Sequence, residues 1–525
     1  MDALFYEDSL VIPFYLTNQL FAGSSYYNVY YNYDYLYGIY SLPRQGSDEY
    51  ELIQSSSMNA KSLAADLVVH NFNMLAFNFD NFYGLRDIME VDTYYDLLFE
   101  NKDKMLASSA KTFDLGLFEI INKSIDEPHT SYSSKSYFNS PSWDGPILTS
   151  ISQLGPRMTS FYEDGIWEIQ AKMDEKWASE SFIRQLYWFV DDDMETAFLS
   201  LDDFNTADIE EDSTFNASFI ASYLNDTIET LLPEINFGDK FFHYNSSTQD
   251  YDFAEVLIKH VDSTDFDNYI TDLVSFGYVY DSENEFYEIT IGELVYTLSL
   301  VYDDEFNAIY LGLIQAELPN EDIGDVFVTD LADFIYADSA VYMEFMLEEI
   351  LEANPLVKNI LLDLSYNTGG NVGALYRVVG FITDQPFKVT SMNVGSGSKS
   401  TSYIQIDGID SYENLNWSLL TSPVTFSAGN ELTTIFAENE FGPIIGLQSG
   451  GGAASITPVL LPNGTAFTMS SNNLNGYRTG TGTELDPYVY NPNEFGITPN
   501  YIISIDLIYD NATLLNAIDD YYYGE

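Results

Sequence analysis

Ser427 lies at a predicted strand-to-helix junction, a position at which proteins can hold a nucleophilic serine. An apolar, β-branched run at 421–426 is typical of a short buried strand, and residues 430–439 carry apolar side chains at helical spacing. A serine at such a strand-to-helix turn can be exposed while the next backbone N–H groups point at one spot, which suits nucleophilic attack with an oxyanion donor. Serine is also a common helix N-cap, so this stretch alone leaves both roles open.

A second strand-to-turn segment lies upstream, at 355–374. The pattern predicts a buried strand over 360–364 that runs into the turn Asn367-Thr368-Gly369-Gly370.

Five segments occur in a fixed order over 360–500. They are ILLDLSYNTGG (360–370), TFSAGNE (425–431), IIGLQSGGG (444–452), LPNGTAF (461–467) and GITPN (496–500). The set resembles the C-terminal-processing (tail-specific) serine peptidases, whose relatives include the tricorn core and the interphotoreceptor retinoid-binding modules.

The resemblance implies an α/β fold with a ClpP/crotonase-like spiral core. It also implies a serine endopeptidase that acts on peptides or proteins. The alternative is a catalytically silent relative that binds peptides or small hydrophobic ligands. Labelling by a fluorophosphonate probe separates the two.

The same resemblance assigns roles to residues of the two turns. Ser427 matches the family's nucleophile. The backbone N–H groups of Ala428 and of Gly369 or Gly370 are the expected oxyanion donors, because glycine lets a substrate carbonyl approach closely.

The expected base is a histidine. The tail-specific branch uses a lysine about 25 residues after its serine, but this chain has Ser-Gly-Gly-Gly at 449–452 and no lysine after Lys399. The tricorn-like branch uses a histidine from the preceding segment, and His129 in SIDEPHTSYSS (124–134) fits that role. An imidazole suits a base at neutral pH. Glu494, just before the closing GITPN, is the candidate third residue.

Composition excludes several kinds of protein. The chain has 19 Lys and Arg against 82 Asp and Glu, a formal net charge of −63, so nucleic acid and anionic lipid are not expected partners. It has no cysteine, which excludes disulfides and thiol nucleophiles. No run of 18 apolar residues predicts a transmembrane segment.

The first residues lack a basic start and carry early acids, so they do not read as an intact signal peptide. The expected location is extracellular or at the cell surface, with the signal or anchor absent from this sequence. Nothing in the sequence indicates an oligomeric state.

At 525 residues, two or three domains are expected. Helical spacing at 251–275, followed by alternating strands, predicts an inserted module, and VFVTDLADF (326–334) predicts a strand. No glycine-led carboxylate-binding loop of a PDZ module is evident, so selection of free C-termini is not expected. The predicted units are a helical region at 1–135 ending in the His129 loop, the first part of the core at 136–235, a small cystatin-like α+β module at 236–318, and the main core at 319–525.

No cofactor or metal is expected, because cysteine is absent and histidine is not clustered. Peptidase activity should therefore survive EDTA. Activity assays before and after chelation check this, and a loss that Zn²⁺ alone reverses would contradict it.

The charge predicts stabilisation by salt. Repulsion among the acids weakens as ions screen it, so the melting temperature should rise between low salt and molar NaCl. Thermal unfolding followed by circular dichroism measures the trend. A flat or falling melting temperature would be inconsistent with dominant acid–acid repulsion.

Overall fold

The computed structural model describes most of the chain and shows a mixed α/β fold, as the sequence predicts. The described residues are 4–6, 9–21, 27–40, 42–43, 45–178, 186–207, 209–224, 231–247, 252–282, 286–304, 306–315 and 331–524.

The core sheet is formed by six strands of the described chain. In spatial order they are Tyr501–Ile502, Ile444–Gly446, Asn416–Thr421, Asn359–Asp363, Thr196–Ser200 and Tyr187–Phe189. The first five run parallel, and the last is antiparallel to its neighbour. Every residue of Asn359–Asp363 and Thr196–Ser200 is buried, as expected for strands covered on both faces.

Helices cover both faces of the core sheet. Alternation along one strand divides its side chains: Ile360 and Leu362 face one helical layer, and Leu361 faces the other. The first layer contains Ser339–Ala353, Val372–Ile382 and Ala428–Glu438; the second contains Glu168–Ala178 and Asn511–Tyr523.

A second sheet pairs one strand from the N-terminal part of the chain with strands from its C-terminal part. Its strands are Ser398–Ile404, Phe387–Asn393, Ala466–Thr479 and Ala454–Leu460, with Val489–Pro492 and Ser131–Ser134 both paired to Ala466–Thr479. The helices that pack on it are Ala65–Phe82, Tyr94–Glu100, Lys102–Met105 and Ala110–Ile120. Phe79 stacks on Phe467 at 5.5 Å between ring centroids, so the N-terminal helical region shares its core with this sheet.

Shorter elements complete the N-terminal half. They are the helices Phe14–Phe21 and Asp48–Gln54, the hairpins Leu4–Tyr6/Ser9–Val11 and Tyr27–Tyr31/Leu36–Tyr40, a π-helical turn Ile121–Ile125, a 3₁₀ turn Ile151–Gln153, and the helix Pro156–Ser160 with its π-helical continuation Phe161–Trp167. Near the C-terminus a 3₁₀ turn spans Ile505–Leu507.

The inserted module is an antiparallel sheet with helices on one face. Its strands, in spatial order, are Val279–Asp281, Phe286–Ile291, Leu294–Asp303, Ala308–Ile314, Asp252–Lys259, Lys240–Ser247 and Ile209–Asp212. The helices are Ser263–Phe276 and Ala217–Leu224. Because Ile209–Asp212 belongs to this sheet, the module begins before the predicted boundary at 236.

The strand predicted at 421–426 is Asn416–Thr421 in the structure, and residues 422–426 form a loop. Two further predicted elements also differ. Residues 252–259, predicted as helix, form a strand with Val256 and Leu257 buried in different cores, and the helix begins only at Ser263. Residues 331–334, predicted as strand, begin the helix Leu331–Tyr336, while 326–330 lie outside the described residues. In both cases packing outweighed the local pattern.

Two lysines join the module to the core. Lys259, fully buried, lies 2.9 Å from Glu348 and 3.2 Å from Glu349. Lys240 lies 2.6 Å from Glu344 and 2.7 Å from Glu348. All three acids belong to the core helix Ser339–Ala353, so scarce cations are placed where the module meets the core.

No helix of the described residues is both long enough and apolar enough to cross a membrane.

Candidate active site

The site lies where two neighbouring parallel strands end. Asn359–Asp363 leads into the glycine turn, and Asn416–Thr421 leads into the loop before Ser427. The carboxyl ends of parallel strands meet at one edge of a sheet, which is a common ligand position. The Phe426 N–H donates to the Asn367 carbonyl at 3.0 Å, and this bond ties the two loops together.

Ser427 adopts the backbone of a strained strand-to-helix turn. Its φ of 54° and ψ of −118° lie outside the regions that L-residues prefer, a conformation that typically costs about 1–3 kcal/mol. Ser427 precedes the helix Ala428–Glu438, yet its side chain makes no capping hydrogen bond. By contrast, the Asn371 side chain accepts from the Ala374 N–H and caps its own helix. The N-cap role that the sequence left open is therefore not the one Ser427 fills.

The glycine turn lies directly against Ser427. A Cβ added to Gly369 would stand 2.7 Å from Ser427 Cβ and 3.1 Å from the Ala428 nitrogen. Gly369 and Gly370 have φ of 120° and 124°, which glycine adopts without strain. Only glycine fits this close approach.

Hydrogen bonding distinguishes the two glycines. The Gly369 N–H donates to Asn367 Oδ1 at 2.9 Å, so it is already engaged. Among the hydrogen bonds of the described residues, none has the Gly370 or the Ala428 N–H as donor. Of the predicted oxyanion donors, these two N–H groups are therefore the ones without an acceptor among the described residues.

His129 reaches the site through the second sheet. Ser131–Ser134 pairs with Ala466–Thr479, and Thr468 Oγ1 donates to the His129 carbonyl at 3.0 Å. The imidazole packs on the Phe426 ring at 4.6 Å between centroids, beside the residue that precedes Ser427. No hydrogen bond within the described chain joins Ser427 to His129, and His129 Nδ1 has no hydrogen-bond partner. The structure thus places the His129 ring beside the residue that precedes Ser427, and Ser427 and His129 are not hydrogen-bonded to each other.

The His129 ring is 8% exposed, and its burial lowers its pKa below the ordinary 6.5. Burial disfavours the charged imidazolium, the nearby Glu127 carboxylate opposes this, and the Arg157 cation reinforces it. A lowered pKa leaves His129 neutral at pH 7, which is the form that accepts a proton.

Glu494 is buried but is not bonded to His129. Its Oε1 lies 2.5 Å from Arg157 Nη2, and its Oε2 accepts the Ala453 N–H at 2.8 Å. Burial raises the pKa of Glu494 to about 7, Arg157 opposes the rise, and Glu127 adds to it. Its catalytic role stays a prediction.

The sequence reasoning missed Glu127 and Arg157. Glu127 stands two residues before His129 in the same motif, which is a signal that could have found it. Nothing in the sequence marked Arg157. It is the second residue of the helix Pro156–Ser160, in which the Arg157 and Met158 N–H groups both donate to the Asp126 carboxylate at 2.8 Å. These bonds fix the His129 loop to that helix.

Glu431 is the acid of the TFSAGNE segment, and it is buried on the helix that follows Ser427. Its carboxylate accepts a hydrogen bond from the Tyr376 hydroxyl at 3.0 Å and another from Asn475 Nδ2 at 2.5 Å. Burial raises its pKa to about 7. These bonds link the helix after Ser427 to Val372–Ile382 and to the second sheet.

Within the described part of the chain, no group of three or more His, Cys, Asp or Glu residues is arranged to hold a metal ion.

Residues 328–503 match the model of peptidase family S41. This match indicates a peptidase of the serine type. The matched region contains all five segments and confirms the resemblance that they predict; a peptidase of this family acts on peptides or proteins. No curated protein sequence matches the chain significantly.

Several solved structures are similar to the chain at low identity. A proposed peptidase from Parabacteroides merdae is 13% identical, with 87% of this chain and 95% of that chain covered and a TM-score of 0.40. Mature CPAF in complex with lactacystin is 10% identical, with 87% and 97% covered and a TM-score of 0.35. The photosystem II D1 C-terminal processing protease is 14% identical, with 43% and 59% covered and a TM-score of 0.27.

The contact between Gly369 and Ser427 yields a test. We expect Gly369→Ala to destabilise the protein and to lower activity at least 10²-fold, because the new methyl group displaces Ser427. The left-handed φ alone costs an alanine about 1–2 kcal/mol. Denaturant unfolding and a peptide-hydrolysis assay measure the two effects.

Gly397→Ala is the matched control, since Gly397 also has a positive φ, of 73°, but no atom within 4 Å of an added Cβ. It should lose comparable stability through strain and keep its activity. Equal activity in the two variants would refute the steric argument.

Proposed function

We propose that this protein is a serine endopeptidase in which Ser427 is the nucleophile and His129 the general base. The Ala428 and Gly370 N–H groups form the oxyanion hole. The conformation of Ser427 carries the proposal: a strained, uncapped serine is costly unless its hydroxyl serves another purpose.

The first half-reaction would form an acyl-enzyme. Ser427 Oγ attacks the carbonyl carbon of the scissile peptide bond while its proton passes to His129. The negative charge that develops on the carbonyl oxygen is met by the N–H groups of Ala428 and Gly370, each typically worth about 3 kcal/mol of barrier. His129 then gives the proton to the leaving amine as the C–N bond breaks.

The second half-reaction would reverse these roles with water. His129 takes a proton from water as the water oxygen attacks the acyl carbon, and returns it to Ser427 Oγ as the ester bond breaks. The burial of His129 supports this cycle, because a base with a lowered pKa is neutral and ready at pH 7.

The absent Ser427–His129 hydrogen bond is compatible with an unliganded state. Such bonds are often long in free enzymes and tighten when substrate binds. Both residues flank the glycine segment after the Ile444–Gly446 strand: the Ser427 N–H donates to the Gly451 carbonyl at 2.9 Å, and His129 Cε1 lies 3.1 Å from a Cβ added to Gly452.

We also infer that the core is the ClpP/crotonase-like spiral. The parallel sheet between two helical layers, with the nucleophile after an inner strand, supports this topology.

The catalytically silent relative is the second candidate. The unpaired Nδ1 of His129 and the absence of a bond to Ser427 favour it, since a ligand-binding descendant would keep the fold while losing the pair.

A fluorophosphonate probe should label the wild-type protein at Ser427 and should not label Ser427→Ala. His129→Ala should lower both labelling and peptide hydrolysis by several orders of magnitude while leaving the fold intact, because members of such a unit fail together. Mass spectrometry of the labelled peptide and kinetics on a peptide library are the measurements.

Ser455→Ala and His260→Ala serve as controls. Ser455 is exposed and His260 belongs to the inserted module, where it contacts Asp239 and Glu352. A wild-type protein that the probe leaves unlabelled, with no cleavage of any library peptide, would favour the silent relative.

A further inference from the structure

Glu127 is fully buried, and its carboxylate is hydrogen-bonded to the backbone of His129. Its Oε1 accepts the His129 N–H at 2.8 Å. Its Oε2 accepts the Thr130 hydroxyl at 2.7 Å and the Ser470 hydroxyl at 3.0 Å. Three donors from two parts of the fold therefore hold this side chain in one orientation.

That orientation brings the charge to the imidazole. Glu127 Oε1 lies 3.6 Å from His129 Nδ1, within ion-pair distance and just beyond a hydrogen bond. Nδ1 has no other partner, although it is buried. A buried ring nitrogen beside a fixed carboxylate is expected to donate to it, since an unpaired donor there is costly.

Glu494, the acid that the sequence predicts, has its oxygens directed elsewhere. One lies against Arg157 and the other accepts the Ala453 N–H. Of the two buried carboxylates near His129, Glu127 is the one whose oxygen faces the ring.

We propose that Glu127 is the positioning residue for His129, in place of Glu494. This inference rests on the proposed function. Glu127 would hold the Nδ1–H tautomer, so that Nε2 faces Ser427 and accepts its proton, and it would stabilise the imidazolium that forms during attack.

The charged and titratable groups around His129 set the expected pH behaviour. Glu127 lies two residues before His129 in the same loop, and Arg157 belongs to the helix Pro156–Ser160. Glu494 and Tyr83 lie close to both Glu127 and Arg157. Glu127 is the acid that raises the pKa of His129, while burial and Arg157 lower it. Removing the Glu127 charge must therefore lower the pKa of His129 further.

Glu127→Gln tests the proposal, because it keeps the shape and an oxygen for the His129 N–H but loses the charge. We expect kcat to fall about 10²- to 10⁴-fold with KM little changed. The acid limb of the kcat/KM profile should move to lower pH. Glu127→Asp keeps the charge and should recover part of kcat and the position of that limb.

NMR titration of the ring gives a readout that needs no activity. The chain has four histidines, so the His129 signal is assigned by its loss in His129→Ala. Its pKa should be lower in Glu127→Gln than in the wild type. Glu119→Gln is the control, since Glu119 is an exposed acid of the same helical region, paired with Lys104, and should change neither kcat nor the His129 pKa.

Three outcomes overturn the proposal in a protein whose Ser427 is labelled by the probe. One is an unchanged kcat and pH profile in Glu127→Gln. Another is a shift of the acid limb in Glu494→Gln that Glu127→Gln lacks. If Glu127→Gln does not fold, Glu127→Asp decides, and the third outcome is a Glu127→Asp variant whose kcat equals that of the wild type. Failure of the proposed function is seen separately, as a wild-type protein that the probe does not label.

Discussion

The arrangement of the site depends on backbone hydrogen bonds between loops that leave neighbouring strand ends. The Phe426 N–H donates to the Asn367 carbonyl, and the Ser427 N–H donates to the Gly451 carbonyl, so the Ser427 loop is held between the glycine turn and the later glycine segment. The strain at Ser427 persists because these bonds and the helix after it determine its backbone together. Gly369 completes the constraint, since any side chain there would occupy the space of Ser427.

The histidine reaches this point by a different route. Its loop is attached to the second sheet through the pairing of Ser131–Ser134, and to the helix Pro156–Ser160 through Asp126. The N-terminal helical region and the C-terminal sheet share one apolar core, so residues far apart in sequence are fixed by the same packing. The predicted division at 135 describes the order of the chain and not a boundary between separately packed units.

Exposed and buried acidic side chains have different surroundings in this protein. Most of the acids that the structure describes face solvent, where salt screens them, but Glu127, Glu431 and Glu494 are buried and each has specific donors. Three of the 19 cations lie at such places: Arg157 beside Glu494, and Lys240 and Lys259 between the inserted module and the core helix. In an interior of low polarity, the position of one cation determines which carboxylate forms an ion pair with it. Here Arg157 pairs with Glu494, while a Glu127 oxygen lies beside the His129 ring.

The sequence by itself predicted the match to peptidase family S41, the mixed α/β fold, the turn at Ser427 before its helix and the glycine turn, because these depend on local residue order and strand-to-turn patterns. It also marked His129. Only the tertiary structure decided that Gly370 and not Gly369 has a free N–H, since Asn367 takes the other. It likewise directed Glu494 to Arg157 and Glu127 to His129, and made 252–259 a strand. Hydrogen-bond partners and burial on two faces are set by distant segments, which a local pattern does not contain.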